Sequence, residues 1–407
     1  MARGELGEAK RMAIGILCDM GRILGAPHLI PVSSAHIDGC LYHGDSGVHF
    51  AERLVKAGAE VSIPTTLNVG ALNLLKPRMS RLPEEKRNMA RRLMRAYTDM
   101  KCQATWTCAP YQGGHRPGQG EDIAWAESNA VVFVNSVLGA RTNRYGDFLD
   151  ICAAITGRVP YYGLHVPENR LATIVIDTSA ISESLKASSV FYPVLGAWLG
   201  RTVGANVAVI DGIPETVTED QLKALGASAA STGAVGLFHV AGVTPEAKTL
   251  EEALGGRQPS CVIGLTSRMV RETLETLSTS TGDSLDAVAL GSPHYSIEEF
   301  LEFETIRAGR KLSVPVYICT GRHTIEALQS QSMLPDLEAA GVTIVADTCV
   351  VVTPILDPKG GVLMTDSGKF ANYTPSNTGY EVLYASLPEC VESAVAGSVV
   401  RRPDQRN

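Results

Sequence analysis

Short apolar segments alternate with amphipathic segments along most of the chain. The apolar segments include TIVID at 173–177, VAVID at 207–211, CVIGL at 261–265 and VPVYICT at 314–320. Strands that are apolar along their whole length, each followed by an amphipathic helix, are typical of parallel sheets covered by helices. The pattern therefore predicts an α/β protein with several α/β/α layers and largely parallel sheets.

Several helices have recognisable ends. Pro83, Thr218 and Ser296 each precede a segment with acidic residues near its start, as expected of a helix N-terminus. The segment TIEALQSQSMLPDLEAAG predicts a helix that ends at Gly341. The first residues, MARGELGEAKRMAIGILCDMG, predict an amphipathic helix.

The chain is long enough for more than one domain, since 407 residues exceed what a single hydrophobic core usually supports. Polar side chains of catalytic type cluster in the first third of the chain and after residue 290. We therefore expect an N-terminal α/β region at 1–170, an α/β scaffold at 171–290, and a C-terminal α/β region at 291–407. The loops near 165–190 fit the first boundary.

Charge and cysteine usage narrow the class of protein. A formal net charge of −7 argues against nucleic acid or an anionic membrane as the partner, because both attract basic surfaces. The N-terminus lacks the apolar core of a signal peptide, and no stretch approaches the roughly 18 apolar residues of a membrane span. Nine scattered cysteines do not resemble a disulfide framework. We expect a cytoplasmic protein with a small-molecule substrate.

Three cysteines stand among small and polar residues. Cys108 lies in TWTCAP, Cys319 in VYICTGRH and Cys349 in VADTCVVV. Loop positions beyond strand ends suit thiolates that hold an iron–sulfur cluster, although a lone cysteine is more often a buried hydrophobe. A site with three thiolates leaves one iron open to a ligand. Cys40 and Cys390 are alternative ligands, and the spacing differs from that of ferredoxins.

The segment from 105 to 143 carries many polar side chains around one short apolar run, VVFV, and predicts a wall of an active site. The candidate substrate-binding residues there are Glu127, Ser128, Asn129, Asn135, Ser136, Arg141 and Thr142. Arg141 could pair with a substrate carboxylate through both arms of its guanidinium.

The segment AHIDGCLYHG contains four further candidates within eight residues, namely His36, Asp38, Tyr42 and His43. They could bind substrate, hold a single metal ion, or only support a hydrogen-bonded turn. The adjacent glycines favour substrate contact, because they let the backbone approach a ligand closely.

The segment PTTLNVG adds three side chains at the end of a predicted strand, Thr65, Thr66 and Asn68. Their hydroxyl and amide groups could bind a carboxylate or, equally, cap a helix.

The last third of the chain contributes Ser367 and Lys369 in DSGKF, and His294 in LGSPH. Ser367 and the following glycine resemble an anion-binding turn, and Lys369 could bind a carboxylate. We expect catalytic roles for Lys369, Ser367 and His36. His294 is equally compatible with substrate contact and with a structural role.

Seven strings carry a family resemblance across nearly the whole chain. They are SSAHIDGCLYHG, PTTLNVG, TCAPYQ, GEDIAWAESNAVVFVNSVLGARTNR, LGSPH, DTCVVVTPI and TDSGKFANYTP. They resemble the large-subunit portion of aconitase X. The resemblance implies an iron–sulfur dehydratase of the aconitase superfamily that acts on cis-3-hydroxy-L-proline or on mevalonate 5-phosphate.

Two features favour cis-3-hydroxy-L-proline, with Δ1-pyrroline-2-carboxylate as the product. AHIDGCLYHG looks like the hydroxyproline branch of the family, and neither PTTLNVG nor AESNAVV supplies the extra cations that a phosphate favours. A non-catalytic protein that binds a cluster or ligand, and a hydro-lyase for another hydroxy acid, are the rival interpretations.

The resemblance also implies a partner. The small portion of the family supplies a catalytic serine, and we find no counterpart of that portion before Asn407. We therefore expect a large subunit that forms a heterodimer with a small subunit and has little activity alone.

Overall fold

The computed structural model describes residues 1–401 as three α/β units that follow one another along the chain. Within this range, no helix combines the length and hydropathy that crossing a lipid bilayer requires.

The first unit contains a three-stranded parallel sheet and a two-stranded antiparallel sheet. Its strands are β1 Leu29–Pro31, β2 Ala35–Ile37, β3 Thr65–Leu67, β4 Ala124–Trp125 and β5 Arg158–Pro160. Its α-helices are α1 Glu8–Ile23, α2 Asp45–Lys56, α3 Glu84–Asp99, α4 Ser128–Phe133 and α5 Leu149–Thr156. A π-helical turn, Val134–Leu138, follows α4, and short 3₁₀ turns lie at Pro77–Met79, Gly163–His165 and Pro167–Arg170. Strand β2 lies between β3 and β4.

The second unit is a four-stranded parallel sheet in the order β8-β7-β6-β9. Its strands are β6 Ile174–Asp177, β7 Ala208–Asp211, β8 Phe238–Val240 and β9 Cys261–Gly264. Its helices are α6 Glu183–Lys186, α7 Phe191–Val203, α8 Glu219–Thr232, α9 Leu250–Leu254 and α10 Ser267–Thr276.

The third unit is a five-stranded parallel sheet in the order β12-β11-β10-β13-β14. Its strands are β10 Ala287–Tyr295, β11 Val316–Thr320, β12 Val342–Val345, β13 Val362–Thr365 and β14 Glu381–Tyr384. Its helices are α11 Ile297–Arg307, α12 Arg322–Ser330, α13 Leu334–Ala340, α14 Gly368–Thr378 and α15 Leu387–Ala396.

The predicted α/β class with largely parallel sheets is confirmed. Helices begin just after Pro83, Thr218 and Ser296, and the last two caps are reciprocal capping boxes with Gln221 and Glu299. The single helix predicted to end at Gly341 is wrong, because α12 and α13 are separate. Ser332 has a left-handed backbone between them, and Pro335 lies in the first turn of α13, which explains the break. Of the three cysteines expected in loops beyond strand ends, Cys349 follows β12, whereas Cys319 lies within β11 and Cys108 lies in a loop that follows no strand.

The predicted domain limit at residue 290 falls inside β10. A limit inside a strand would divide a hydrogen-bonded ladder between two domains, so we propose that the third unit begins before Ala287.

Helix α8 of the second unit contacts helices from both other units. Val132 of α4 and Ala371 of α14 belong to the same buried apolar core as Leu222 and Leu225 of α8. A side chain on Gly368 would collide with Ser228 of α8, so glycine is needed where α14 begins. This packing brings the residues after β4 close to the first turn of α14.

Candidate active site

A buried ion pair joins the first unit to the third. Lys369 Nζ lies 2.6 Å from Glu127 Oε1, and the side chains are 13% and 6% exposed. Glu127 caps α4, where its Oε2 also accepts the Ala130 N–H at 2.6 Å and the Asn129 amide at 3.1 Å. Burial opposes ionisation of Glu127, but Lys369 and these donors outweigh it and hold the pKa of Glu127 below its ordinary value. The pair is therefore ionised.

Cys108 lies beside this ion pair. The Asn129 amide donates to the Cys108 carbonyl at 2.7 Å, and the His294 N–H donates to Cys108 Sγ at 3.3 Å. Thr107 Oγ1 lies 2.9 Å from His294 Nδ1. Burial raises the pKa of the Cys108 thiol to about 12, with Glu127 adding to the rise and Lys369 opposing it. The first and third units thus share one buried polar centre.

The three predicted cluster ligands lie close enough to influence one another. Burial raises the pKa of Cys319 and Cys349, and Cys108 and Cys349 add to the rise at Cys319. All three are free thiols and at most 8% exposed. Cys319 lies in β11, whereas Cys108 and Cys349 lie in loops. Their electrostatic coupling indicates one group of thiols rather than three separate buried side chains.

Backbone N–H groups point at each of these sulfur atoms. Cys108 accepts from His294, the N–H of Val350 lowers the pKa of Cys319, and the N–H groups of Val351 and Val352 lower that of Cys349. Such N–H···S bonds stabilise thiolates, which are the ligands of an iron–sulfur cluster. The three cysteines therefore fit an iron–sulfur cluster, the cofactor that the sequence predicted.

A single metal ion is not supported. Among residues 1–401, no three His, Cys, Asp or Glu side chains converge closely enough to hold one ion. A cluster of several irons separates its thiolate ligands more widely than one ion does, so this finding bears on a single ion only.

The alternative ligands Cys40 and Cys390 lie elsewhere. Cys40 Sγ contacts the carbonyls of Ile37 and Asn68, and its electrostatic neighbours include Cys102. Cys390 is buried in α15 within the apolar core of the third unit.

Asp38 lies close to Glu127 and is partly exposed. Burial raises the pKa of Asp38 to about 7, the charge of Glu127 adds to the rise, and a hydrogen bond from Asn68 opposes it. A carboxyl group with a pKa near neutrality can both accept and release a proton at physiological pH.

The loop that carries Asp38 is held by a buried carboxylate on α5. Asp150 accepts the N–H groups of Asp38 at 2.8 Å and Gly39 at 3.0 Å. The tight turn needs Gly39, because a Cβ there would meet the hydroxyl of Tyr97.

His36 lies on β2 next to Trp125 of β4. Its Nδ1 lies 2.8 Å from Thr66 Oγ1, which in turn lies 2.8 Å from His115 Nδ1. Burial lowers the pKa of His36 to about 3 and that of His115 to about 4. Both imidazoles are therefore neutral at physiological pH.

Two clefts lie beside this centre. The larger has a volume of about 1270 Å³. Its lining includes Ser292 and Asp366, together with Ser367 and Gly368 at the start of α14. The smaller has a volume of about 480 Å³ and is lined by residues that include Thr66, Thr107 and His115. Both clefts border the centre, because Gly368 directly precedes Lys369 and Thr107 directly precedes Cys108.

Several predicted substrate contacts are instead structural. The Asn135 amide donates to the carbonyls of Thr142 and Gly236, and its oxygen accepts the Thr142 N–H. Ser136 accepts the Phe238 N–H, and the Thr142 hydroxyl bonds to the backbone of Trp125 and Asn143. These bonds satisfy the side chains within the protein, so Asn135, Ser136 and Thr142 are not free to bind substrate.

Other predicted contacts lie away from the centre. His43 is exposed, and the Tyr42 hydroxyl donates to Asp45 at 2.8 Å. Thr65 Oγ1 donates to the Ile63 carbonyl at 2.8 Å. Arg141 is partly exposed, with a buried Nε that has no partner, and no contact joins it to Glu127 or Lys369.

Ser367 and Ser128 have partners beside the ion pair. Ser367 caps α14, accepting the Phe370 N–H and donating to the Ser292 carbonyl. Ser128 Oγ lies 3.4 Å from Glu127 Oε1 and is partly exposed. The Ser367 hydroxyl is thus engaged in capping, whereas Ser128 can still reach a ligand.

Sequence reasoning missed four residues of this centre, namely Thr107, His115, Trp125 and Asp150. Thr107 is the first residue of TCAPYQ and His115 lies three residues after that string, and this proximity to Cys108 was a usable signal. Trp125 and Asp150 stand in apolar segments and gave no such signal.

Three family models match consecutive parts of the chain. They are aconitase X first domain at residues 1–168, second domain at 172–275 and third domain at 285–396.

The chain is also similar to characterised relatives. It is 40% identical over 399 residues to cis-3-hydroxy-L-proline dehydratase of Pseudomonas aeruginosa, with 97% of this chain and 68% of that protein covered. It is 38% identical over 388 residues to the phosphomevalonate dehydratase large subunit of Methanothermobacter thermautotrophicus, with 94% of each covered. A crystal structure of Thermococcus kodakaraensis aconitase X in its holo-form superposes with a TM-score of 0.86, at 33% identity and 97% coverage of both chains.

Proposed function

This chain belongs to the aconitase X family of dehydratases, and from that premise we propose that it dehydrates cis-3-hydroxy-L-proline to Δ1-pyrroline-2-carboxylate. The observation that carries the proposal is the buried Glu127–Lys369 pair beside Cys108 and Asp38. This centre combines a fixed cation, Lys369, with a carboxyl group whose pKa is near neutrality, Asp38, and with the group of thiols that includes Cys108.

Lys369 is the proposed anchor for the substrate carboxylate. An ammonium group has three N–H donors, and Glu127 uses one of them. Glu127 fixes the position of the ammonium while the remaining donors bind the substrate. Fixing the carboxylate also fixes the C2–H bond relative to the proton acceptor.

Asp38 is the proposed proton acceptor. Its carboxylate removes the proton from C2, and the electron pair of that C–H bond forms the double bond between C2 and C3. The bond between C3 and the hydroxyl oxygen breaks, and this oxygen takes up a proton to leave as water. The enamine then tautomerises to the imine. A pKa near 7 gives Asp38 a substantial ionised fraction at neutral pH.

Cys108, Cys319 and Cys349 would hold an iron–sulfur cluster, which supplies Lewis-acid assistance to the loss of the hydroxyl when it is bound. Asn129 and His294 hold the Cys108 segment through its carbonyl and its sulfur.

The charge of the larger cleft supports an amino acid as the substrate. Its lining contains six acidic side chains, Glu219, Asp220, Glu298, Glu299, Glu302 and Asp366, against two cationic side chains, Arg116 and Lys223. Burial raises the pKa of Glu299 to about 8 and that of Asp366 to about 6, so the other four carry most of the negative charge. Lys223 is engaged by Asp220 and Glu299 at 2.7 and 2.5 Å. An acidic approach repels a phosphate dianion and tolerates a zwitterion whose ring nitrogen is cationic.

We further propose that a second component completes the site. The relatives named phosphomevalonate dehydratase large subunit match this chain over 94–97% of their own length, and their names imply a small subunit. A partner component would add side chains over the larger cleft, where Ser367 remains partly exposed.

The same relatives make mevalonate 5-phosphate the second candidate substrate. The experiment is to compare kcat/KM for cis-3-hydroxy-L-proline and mevalonate 5-phosphate with the chain and its small subunit co-purified without oxygen. The proposal predicts at least about a 10²-fold preference for hydroxyproline. A preference for the phosphate would establish the second candidate, and turnover of neither would leave only a binding role.

A further inference from the structure

Three buried side chains form a continuous hydrogen-bonded chain between the catalytic centre and the smaller cleft. His36 Nδ1 lies 2.8 Å from Thr66 Oγ1, and Thr66 Oγ1 lies 2.8 Å from His115 Nδ1. The Thr66 hydroxyl has one proton, so it donates to one imidazole and accepts from the other. The two rings therefore hold opposite tautomers.

Both outer ring nitrogens are free. Among the described residues, His36 Nε2 and His115 Nε2 are buried atoms without a hydrogen-bond partner. A buried polar atom without a partner is costly unless a ligand or water satisfies it, so each end of the chain is fit to exchange a proton.

The indole ring of Trp125 packs against both imidazoles. Its centroid lies 5.4 Å from the ring centroid of His36 and 5.0 Å from that of His115. Packing against one rigid indole fixes both imidazoles relative to Thr66. Because burial keeps both imidazoles neutral, a proton crosses this chain most readily as a concerted shift without a lasting charge.

The two ends lead to different surroundings. His115 lines the smaller cleft together with Thr66, Thr107 and His323. His36 is fully buried and pairs with Trp125, two residues before Glu127, and the charge of Glu127 acts on it. The chain therefore links a residue of the smaller cleft to a residue near the catalytic centre. Because both outer ring nitrogens are buried, a water or the substrate has to reach each of them for a proton to be exchanged.

We propose that His36, Thr66 and His115 form a proton relay that protonates the hydroxyl leaving C3 of the substrate. This inference rests on the proposed function. Before the step, His36 carries its proton on Nε2, Thr66 donates to His36 Nδ1, and His115 Nδ1–H donates to Thr66.

The step balances without an added reagent. His36 Nε2 gives its proton to the departing hydroxyl, which leaves as water with the C3–O electron pair. Thr66 passes its proton to His36 Nδ1, His115 passes its Nδ1 proton to Thr66, and His115 Nε2 takes one from water in the cleft. The C2 proton meanwhile resides on Asp38, which is partly exposed and returns it to solvent. The substrate has then lost one water, and both imidazoles hold the opposite tautomers. After product release the reverse shift restores them: His36 Nε2 takes a proton from water that enters the site, the two inner protons move back, and His115 Nε2 returns its proton to the cleft.

The test uses the complete enzyme with its cluster and small subunit. Thr66→Val removes the hydroxyl at nearly constant volume, and we expect kcat to fall about 10²-fold with KM nearly unchanged. Thr66→Ser retains the hydroxyl and should restore kcat to within about threefold of the unsubstituted enzyme. Thr156→Val is the matched control, because Thr156 is a buried threonine whose hydroxyl contacts backbone carbonyls alone, those of Cys152, Ala153 and Arg158.

A second pair of variants separates proton transfer from packing. Imidazole added to His115→Ala can enter the smaller cleft and should raise kcat at least about tenfold, whereas Thr66→Val should not respond. The relay is overturned if Thr66→Val keeps kcat, if Thr66→Ser is as slow as Thr66→Val, or if imidazole rescues neither or both. If the unsubstituted enzyme forms no imine, the proposed function fails, and the relay with it.

Discussion

Lys369 and Glu127, 242 residues apart in the chain, form a 2.6 Å ion pair that joins α14 of the third unit to the cap of α4 in the first. Each residue belongs to a different unit, so the centre forms only when the first and third units pack against each other.

Glu127→Gln tests this pair. Removing the carboxylate leaves the Lys369 ammonium buried without its partner, so we expect a loss of about 3 kcal/mol in the free energy of unfolding and at least about a 10²-fold fall in kcat/KM. Urea unfolding and steady-state kinetics measure the two effects.

Glu52→Gln is the control for Glu127→Gln. Glu52 pairs with Arg92 through side chains that are 39% and 48% exposed, so its loss should cost less than about 1 kcal/mol. Equal effects of the two substitutions on stability and kcat/KM would contradict a special role for Glu127.

Asp38 gives the enzyme a pH dependence. As the proton acceptor, Asp38 must be ionised, so kcat/KM should rise with pH through an apparent pKa near the value of about 7 for this carboxyl group. Asp38→Asn should lower kcat/KM and abolish that rise. A pH profile unchanged in Asp38→Asn would assign the ionisation to another group.

Asp38 also affects the free energy of unfolding, and its raised pKa determines whether that free energy rises or falls with pH. Between its unfolded pKa, about 4, and its folded pKa, the native state binds more protons than the unfolded state, so wild-type stability falls as pH rises. Relative to wild type, Asp38→Asn should therefore gain about 1–2 kcal/mol between pH 5 and pH 8, discounted for the partial exposure of Asp38. Urea unfolding at both pH values measures this gain. A stability of Asp38→Asn that falls relative to wild type between pH 5 and pH 8 would contradict the prediction.

The thiols of Cys108, Cys319 and Cys349 are predicted to bind iron. Cys108→Ser, Cys319→Ser and Cys349→Ser should each lower bound iron and visible absorption in anaerobically purified protein, because each removes one proposed ligand. Cys390→Ser and Cys261→Ser are the controls, since Cys390 lies in the core of α15 and Cys261 is exposed. Full iron content in Cys319→Ser would remove Cys319 from the ligand set.

Asp150 is predicted to position Asp38. Asp150→Asn places an N–H₂ group where two backbone N–H groups now donate, so the Asp38 loop should shift and kcat should fall at least about tenfold. Asp177→Asn is the matched control, because Asp177 accepts a backbone N–H from Ser179 in the second unit. Wild-type kcat in Asp150→Asn would show that the loop does not depend on this carboxylate.

Much of the fold could be predicted because strands and helices alternate locally. The four apolar runs TIVID, VAVID, CVIGL and VPVYICT each contain a strand, and the capping residues Thr218 and Ser296 marked helix starts. The segment 324–341 was predicted wrongly as one helix because its apolar spacing continues across the break between α12 and α13. The break is marked only by Ser332, which has a left-handed backbone, and by Pro335.

The candidate centre was predictable only in part. Glu127 and Lys369 stood out among small residues, but so did Asn135 and Thr142, which bond to backbone instead. Local composition does not reveal which way a polar side chain faces. The contact of His36 with Trp125 depends on β2 pairing with β4 across some 90 residues of sequence, and no local pattern specifies that register.

The most direct test of the central claim is NMR identification of the product formed from cis-3-hydroxy-L-proline by the anaerobic complex of this chain with its small subunit. The account predicts Δ1-pyrroline-2-carboxylate from the unsubstituted complex and almost none from Glu127→Gln. Unchanged hydroxyproline with both proteins, at full iron content, would contradict it.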